Sequence, residues 1–197
     1  MNARARSAVV AVAAMAAALL VPTLTVSPAS AAQPVPGHTH LVPQVPRTDM
    51  PKISSGEIWD MAAIGNSIYI VGSFTSVTKG GTTTAVPGLT GWDINSGNLL
   101  PSFKPTITGG IVETVEATPD GTKLIIGGTF KTVGGLTRSK VAVLNPTTGA
   151  PLTTFAFTGA TNNPVTAIAA TNTTIYVGGR FNKLNGTNHS GLAAVNA

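Results

Sequence analysis

One short pattern occurs three times in this chain, and it limits the possible folds more than any other feature. Each copy is an apolar run of aliphatic or aromatic residues, then glycine, one variable residue and phenylalanine. Successive phenylalanines are separated by 56 and 51 residues, and a period of this size is typical of repeat architectures. The three copies end at Phe74, Phe130 and Phe181.

Two further apolar runs accompany each copy, one before it and one after it. The runs before it are residues 58–62, 112–116 and 165–169, and the runs after it are residues 89–93, 141–145 and 192–196. Polar turns separate the runs, and Asp120-Gly121 between two apolar runs predicts a type I′ hairpin. Each unit therefore contains at least three predicted short antiparallel strands.

Turn-forming residues mark the rest of each unit. A glycine-containing loop follows each phenylalanine, and the first loop carries a four-residue insertion close to residues 82–84. Asp93 and Asn145 end the third strand, where their side chains are expected to bond the downstream backbone. A fourth, weaker strand is predicted around residues 99–103 and 152–157.

Four short strands in a unit of about 52 residues, with glycine-rich turns throughout, describe a blade of a β-propeller. Residues 57–197 therefore predict an all-β fold of about three four-stranded repeats, namely 57–107, 108–160 and an incomplete 161–197. Propellers typically close with about four to eight blades. We accordingly expect an incomplete propeller and a fragment of a longer protein.

The glycines and phenylalanines of the repeated pattern have a predicted structural purpose. Glycine in a strand lets a neighbouring backbone or a large ring lie close, and the phenylalanine is expected to fill the space between adjacent blades. The first copy has Val71 where the other two have their first glycine. The predicted motif residues are Gly72, Phe74, Gly127, Gly128, Phe130, Gly178, Gly179 and Phe181.

Residues 1–32 have the three parts of a secretory signal peptide. Arg4 and Arg6 form a basic start, residues 8–21 are uninterruptedly apolar, and residues 29–32 supply an A-x-A cleavage site. The apolar run is short for a membrane span of about 20 residues, although an uncleaved N-terminal anchor is the alternative. We expect cleavage after Ala31 or Ala32, a secreted or cell-surface location, and no transmembrane span in the mature chain.

Residues 33–56 are a predicted linker, because closely spaced prolines favour extended backbone. His38 and His40 lie in it, and we interpret this H-x-H pair as two solvated histidines, since a linker offers no further metal ligands. His189 is the single histidine of the repeats. These histidines predict no metal site.

Composition excludes several classes of function. The chain has no cysteine, which rules out disulfides, thiolate zinc sites and cysteine nucleophiles. Its net charge of +5 comes from scattered basic residues, and no run has the density of a nucleic-acid-binding arm. Phosphate-loop, dinucleotide-binding and nucleophile-elbow motifs are absent. We therefore expect no nucleic-acid partner and no cofactor.

Two carboxylates are candidates for lining a central channel. Asp60 and Glu116 lie in the first strand of their units, and the first strands of a propeller surround its channel. Glycoside hydrolysis needs two carboxylates at a defined separation, and this spacing is not diagnostic of it. Solvated or paired surface carboxylates are the favoured interpretation.

The repeats resemble a β-propeller repeat type that is common in secreted actinobacterial proteins. The resemblance covers residues from about 55 to 197 and rests on the G-G-x-F pattern, the apolar strand that ends in Asp or Asn, and the following steps Ser96-Gly97 and Thr148-Gly149. The pattern is also similar to repeats in fungal cortical polarity markers and, more distantly, to kelch repeats. The resemblance implies a β-propeller from a family whose members mostly lack a defined activity, and it supplies no catalytic residue.

Two functions are consistent with the sequence. The first is a non-enzymatic extracellular scaffold or binding module for an unknown protein or glycan ligand. The alternative is part of an extracellular carbohydrate-active enzyme whose catalytic residues lie outside this chain. A copper radical oxidase is excluded, because its ligand set needs a cysteine that the chain lacks.

Overall fold

The computed structural model describes residues 46–155 and 161–196. The predicted signal peptide and the first part of the predicted linker lie outside these residues. All regular structure in the described part is β: seventeen strands form six small antiparallel sheets. None of the described residues forms a helix of the length and apolarity needed to cross a membrane. This confirms the prediction of an all-β fold.

The first blade has a main sheet and a small outer sheet. Its strands are β1 (Lys52–Ile53), β2 (Ile58–Ile64), β3 (Ser67–Gly72), β4 (Ser76–Lys79), β5 (Thr82–Ala85) and β6 (Leu89–Asp93). The main sheet has the order β2-β3-β6, and the outer sheet has the order β1-β4-β5.

The second blade repeats this arrangement. Its strands are β7 (Ile107–Thr108), β8 (Val112–Ala117), β9 (Leu124–Gly128), β10 (Thr132–Val133), β11 (Leu136–Thr137) and β12 (Val141–Leu144). The main sheet has the order β8-β9-β12, and the outer sheet has the order β7-β10-β11.

The third blade has the same main sheet and a smaller outer one. Its strands are β13 (Val165–Ala170), β14 (Thr174–Gly179), β15 (Lys183–Leu184), β16 (Thr187–Asn188) and β17 (Leu192–Asn196). The main sheet has the order β13-β14-β17, and β15 pairs with β16. The three predicted strands of every unit are thus present at the expected places.

The predicted fourth strand, around residues 99–103 and 152–157, is wrong as a regular strand. Each segment makes one isolated antiparallel bridge: Trp92 with Leu99, and Leu144 with Pro151. Proline accounts for this, because Pro101 follows the first bridge, Pro151 forms the second, and proline has no N–H for a ladder. The blades therefore have three-stranded main sheets extended by one bridge; residues 156–157 lie outside the described part.

The loops predicted after each phenylalanine are hairpins in the structure. They are β4–β5, β10–β11 and β15–β16, and both central turn residues have positive φ in all three. Asn185 has a φ of 50° and Gly186 a φ of 82°, as a type I′ turn requires. The insertion in the first unit lengthens β4 and β5, which have four residues each against two each in β10 and β11.

The hairpin between β8 and β9 forms, but the type I′ prediction for Asp120-Gly121 is wrong. The Gly121 N–H donates to the carbonyl oxygen of Thr118 at 2.8 Å, which makes Pro119 and Asp120 the central residues. Of these four residues, Gly121 alone has a positive φ, of 68°. Pro119 has a φ fixed near the value that the first central position of a type I turn requires, so the chain forms a turn centred on Pro119 and Asp120 and not one centred on Asp120 and Gly121.

The turns predicted after the third strand are confirmed. Asp93 Oδ1 accepts from the Ser96 N–H at 2.7 Å. Asn145 Oδ1 accepts from the N–H groups of Thr147 and Thr148 at 2.8 and 3.0 Å. In each turn the side-chain oxygen accepts the hydrogen bonds that a backbone carbonyl would accept in a β-turn, and it thereby stabilises the turn after the third strand.

Each blade presents two different sheet faces, which we name the Phe face and the opposite face. The Phe faces comprise Ile70, Phe74, Val77 and Trp92 in the first blade, Ile126, Phe130, Val133 and Leu144 in the second, and Val177, Phe181, Leu184 and Val195 in the third. The opposite faces comprise Tyr69, Val71 and Leu89 in the first blade, Ile125, Val141 and Val143 in the second, and Tyr176, Leu192 and Ala194 in the third.

The blades stack with the Phe face of one against the opposite face of the blade before it. One core joins the second blade's Phe face to the first blade's opposite face, and another joins the third blade to the second. The Tyr69 hydroxyl donates to the carbonyl oxygen of Pro146 at 2.8 Å, across the first of these interfaces. Each fully buried apolar side chain in these cores stabilises the fold by about 1.5–3 kcal/mol.

The first strands of the three blades lie side by side. β8 contacts β2 on one side and β13 on the other. No comparable contact joins β2 to β13 within the described residues, so the three blades form an open arc and not a closed ring. This agrees with the predicted incomplete propeller.

The compact unit includes residues before position 57, where the repeats were expected to begin. It starts at Pro46, and β1 pairs with β4 as β7 pairs with β10. Met50 and Ile53 pack beside Phe74 in the same core. The end of the predicted linker is therefore part of the first blade.

Candidate functional site

The first strand of every blade carries one extra residue at the same place. The register between first and second strands shifts once in β2, once in β8 and once in β13. The residues at these β-bulges are Trp59, Glu113 and Thr166. A bulge bends its strand and turns a side chain in a new direction, and bulges are frequent next to functional sites.

The three bulged residues line one open depression on the inner strands. Its volume is about 370 Å³, and Trp59, Glu113 and Thr166 line it. Trp59 is 41% exposed, and its indole Nε1 donates to Glu57 Oε2 at 3.3 Å. Each blade supplies one lining residue, so the depression depends on the order of the blades.

The depression combines three kinds of contact group. Trp59 offers an exposed aromatic face, Glu113 a carboxylate that accepts hydrogen bonds, and Thr166 a hydroxyl that donates and accepts. Such a set suits a ligand that has both an apolar C–H face and hydroxyl groups. In the part of the chain that the structure describes, no three His, Asp or Glu side chains are grouped as metal ligands.

The second glycine of the motif is fixed by a backbone contact. A Cβ atom at this place would lie far inside van der Waals distance of a carbonyl oxygen: that of Glu57 at Gly72, of Ile111 at Gly128, and of Pro164 at Gly179. The same carbonyl accepts from the N–H that follows the glycine, for example that of Thr129 at 2.9 Å. This close contact between the glycine and the carbonyl group connects the start of the first strand to the end of the second strand in every blade.

The first glycine of the motif depends on the neighbouring blade. A Cβ atom at Gly127 would lie 2.7 Å from Val165 Cγ1 of the third blade. At Gly178 the nearest atom would be Ala167 Cβ at 3.4 Å, which is ordinary contact. Val71 takes this position in the first blade and is fully buried. The variable packing explains why only one of the two glycines occurs in all three copies.

Asp60, a candidate channel-lining residue, bonds to the adjacent blade. Its Oδ2 accepts from the Thr114 hydroxyl at 2.7 Å and from the Val115 N–H at 3.0 Å. Its Oδ1 accepts from the Met61 N–H at 2.8 Å. The carboxylate thus connects β2 to β8 and belongs to the interface between the first two blades.

Glu116, the second candidate, is half-buried near this interface. Burial, and then the negative charge of Asp60, raise the pKa of Glu116 above its ordinary value. A carboxyl with a raised pKa is a candidate acid or base in general, but structural groups are shifted in the same way. The bonds of Asp60 to β8 favour the structural interpretation for this pair.

Asp120 holds the turn between β8 and β9. Its Oδ1 accepts from the Thr118 hydroxyl at 2.6 Å and from the N–H and hydroxyl of Thr122 at 3.0 and 2.9 Å. These bonds lower the pKa of Asp120 to about 2. The Asp120 N–H donates to Asn172 Oδ1 at 2.9 Å, which connects this turn to the third blade.

The bulged residues are the ones that sequence reasoning missed. A strand normally buries every second residue, but Val112 and Val115 are both buried and lie three apart. Val165 and Ile168 repeat this spacing in the third blade. Two apolar residues three apart in a short strand are the signal that would have located the bulge between them.

Comparison with known proteins supports the same architecture. Residues 118–155 match the model of a family described as a β-propeller domain of unknown function (DUF5122). The match runs from the β8–β9 turn through β9 and β12 to the segment after the Pro151 bridge, which is most of the second blade. No curated protein and no solved structure matches the chain. The family match and the repeated three-stranded units together identify the chain as a β-propeller repeat protein.

Proposed function

We propose that this protein is an exported, non-enzymatic binding module that recognises a glycan at the depression formed by Trp59, Glu113 and Thr166. The main support for this proposal is that each of the three blades contributes one bulged residue to the lining of the same depression. The match to a β-propeller family and the repeated blades suggest a binding or scaffold module.

The lining residues favour a sugar over a flat apolar ligand. An exposed tryptophan face can pack against the C–H face of a sugar ring, while a carboxylate and a hydroxyl bond its hydroxyl groups. The depression is open, which suits an extended oligosaccharide better than an enclosed small molecule.

The hydrogen bonds of two described carboxylates, Asp60 and Asp120, support a non-enzymatic function. A glycosidase needs one carboxyl to act as an acid and a second to act as a nucleophile or base. Asp60 is bonded to Thr114 and Val115. Asp120 is bonded within its turn. Both carboxylates therefore have structural partners that the fold uses.

Export rests on the predicted signal peptide in residues 1–32. We expect the protein in the culture medium or on the cell surface, with a new N-terminus that mass spectrometry places at Ala32 or Gln33. An intact Met1 on a membrane-embedded product would contradict export while leaving the binding proposal open to its own test.

Binding is tested by screening the purified chain against immobilised glycans and titrating soluble hits. Truncating an anchor tryptophan commonly removes about 2 kcal/mol or more, so Trp59→Ala should weaken binding about 30-fold. Leu136→Ala is the matched control, since Leu136 is an exposed apolar residue outside the depression. Intrinsic fluorescence should report the contact, because Trp92, the other tryptophan, is buried.

Three outcomes would contradict the proposal. They are binding to proteins but to no glycan, glycan binding that Trp59→Ala leaves unchanged, and release of hydrolysed product from a bound oligosaccharide. The last would move the function to the carbohydrate-active alternative.

A further inference from the structure

The three inner strands that contribute to the depression carry negative charge and no positive charge. β2, β8 and β13 contain Asp60, Glu113 and Glu116, and none of these three strands contains a lysine, arginine or histidine. The chain as a whole has the opposite balance, with 12 Lys and Arg residues against 7 Asp and Glu residues. The inner strands of the described blades are therefore anionic within a basic protein, and such a surface attracts positively charged ligands.

Glu113 brings this negative charge directly to the depression. The other lining residues, Trp59 and Thr166, are uncharged. Among the residues that the structure describes, the single ion pair joins Arg47 to Asp49, so no described cation pairs with the Glu113 carboxylate. A ligand cation in the depression could therefore pair with this carboxylate without displacing a side chain of the protein.

Trp59 presents an aromatic face that a second carboxylate helps to orient. The indole Nε1 donates to Glu57 Oε2 at 3.3 Å, and the side chain of Trp59 is 41% exposed. Two backbone contacts hold Glu57: its N–H donates to Ser73 Oγ at 2.9 Å, and its carbonyl oxygen accepts from the Ser73 N–H at 3.0 Å. The face of a tryptophan ring attracts a cation more strongly than that of tyrosine or phenylalanine.

We propose that the glycan bound at the depression carries free amino groups, an assignment that rests on the proposed function of this site. One ammonium group would lie between the aromatic face of Trp59 and the carboxylate of Glu113. It would gain a cation–π contact from the first residue and a charge-assisted hydrogen bond from the second. The Thr166 hydroxyl would bond a sugar hydroxyl beside it.

The same charges disfavour two other classes of glycan. An acidic polysaccharide would bring its own negative groups towards Glu113 and Glu57, and the contact of like charges weakens binding. A neutral oligosaccharide would leave the Glu113 carboxylate without an ion partner and would make no cation–π contact with Trp59. Partly exposed contacts of these two kinds together give a preference of about tenfold for the charged amine.

The test is a titration of the purified chain with three soluble oligosaccharides of equal length and linkage. They are a glucosamine oligosaccharide, its N-acetylated form and a glucose oligosaccharide. At a mildly acidic pH, where the amino groups are charged, the glucosamine oligosaccharide should bind about tenfold more tightly than either of the others. Added salt should weaken its binding and leave that of the neutral oligosaccharides unchanged, because salt screens only the charged contact.

Glu113→Gln measures the contribution of the carboxylate to this preference. The substitution keeps the shape of the side chain and removes its charge, so the preference for the glucosamine oligosaccharide should fall about threefold and its salt dependence should weaken. Glu116→Gln is the matched control, because it makes the same change in the same strand at a residue that does not line the depression. The control should keep the preference of the wild-type chain.

The possible results separate the charge of the ligand from the proposed function. Equal binding of all three oligosaccharides, lost in Trp59→Ala, would overturn the amino-sugar assignment and keep the glycan site. Binding of none of the three would overturn the assignment, and the wider glycan screen would then decide the proposed function. A preference that Glu113→Gln leaves unchanged, or that Glu116→Gln lowers equally, would also overturn the assignment.

Discussion

At the scale of single residues, the recurring contact is between one glycine and one carbonyl group. Gly72, Gly128 and Gly179 each have a carbonyl oxygen where a side chain would otherwise be. The contact places the bulge at a fixed distance from the end of the second strand, since the carbonyl belongs to the residue just before the first strand. A residue without a side chain is therefore needed in every blade, whatever packs outside it.

Gly128→Ala should destabilise the protein by about 2–4 kcal/mol, because its Cβ must displace the Ile111 carbonyl and the hydrogen bond that this carbonyl accepts. The midpoint of urea unfolding measures the loss. Gly178→Ala is the matched control, with a change expected within about 1 kcal/mol, since its Cβ finds ordinary contact. Equal midpoints for the two variants would contradict the assigned contact.

At the scale of elements, the main strands were predictable from sequence and the small ones were not. An apolar run of five or six residues locates strands such as β9 and β14, because its short length, its β-branched and aromatic residues and its polar flanking turns together favour a strand over a helix. The outer hairpins have strands of two residues in the second and third blades, too short for any period to show. The turn residues of these hairpins, Gly134-Gly135 and Asn185-Gly186, predict only loops from the sequence.

In the outer sheet of the third blade, a side chain makes the hydrogen bonds that an additional β-strand makes in the outer sheets of the first two blades. Asn162 Oδ1 accepts from the N–H groups of Asn182 and Lys183 at 3.1 and 3.3 Å. Its Nδ2 donates to Asn182 Oδ1 at 2.8 Å. β1 and β7 make the corresponding backbone pairings in the first and second blades. Asn162 therefore holds the hairpin β15–β16 at the edge where β1 and β7 lie in the other two blades.

Asn162→Ala should accelerate amide hydrogen exchange at Asn182 and Lys183 about five- to tenfold, since a hydrogen bond contributes about 1 kcal/mol. Nuclear magnetic resonance or mass spectrometry would resolve the change at these residues. Asn163→Ala is the control, because Asn163 bonds through its backbone carbonyl to the Thr161 hydroxyl. Unchanged exchange in Asn162→Ala, or an equal change in both variants, would mean that Asn162 does not anchor the hairpin.

At the scale of the whole molecule, stacking of unlike faces turns three similar units into one surface. The Phe face of each blade covers the opposite face of the blade before it, and the first strands then lie side by side. The sequence predicted the repeat and the motif residues, because they recur in every unit. It did not predict the depression, because its members share no chemistry: a tryptophan, a glutamate and a threonine become neighbours only through stacking.

The bulged residues of separate blades meet at one depression, and cross-linking across it would demonstrate this convergence. The chain has no cysteine, so Trp59→Cys with Thr166→Cys introduces a single reactive pair. A short bis-maleimide, which alkylates one thiol at each end, should join this pair rapidly in the folded protein and slowly in urea. The control pairs Trp59→Cys with Thr83→Cys in the β4–β5 hairpin, and it should react slowly in both conditions. Equal rates for the two pairs in the folded protein would contradict convergence of the blades on the depression.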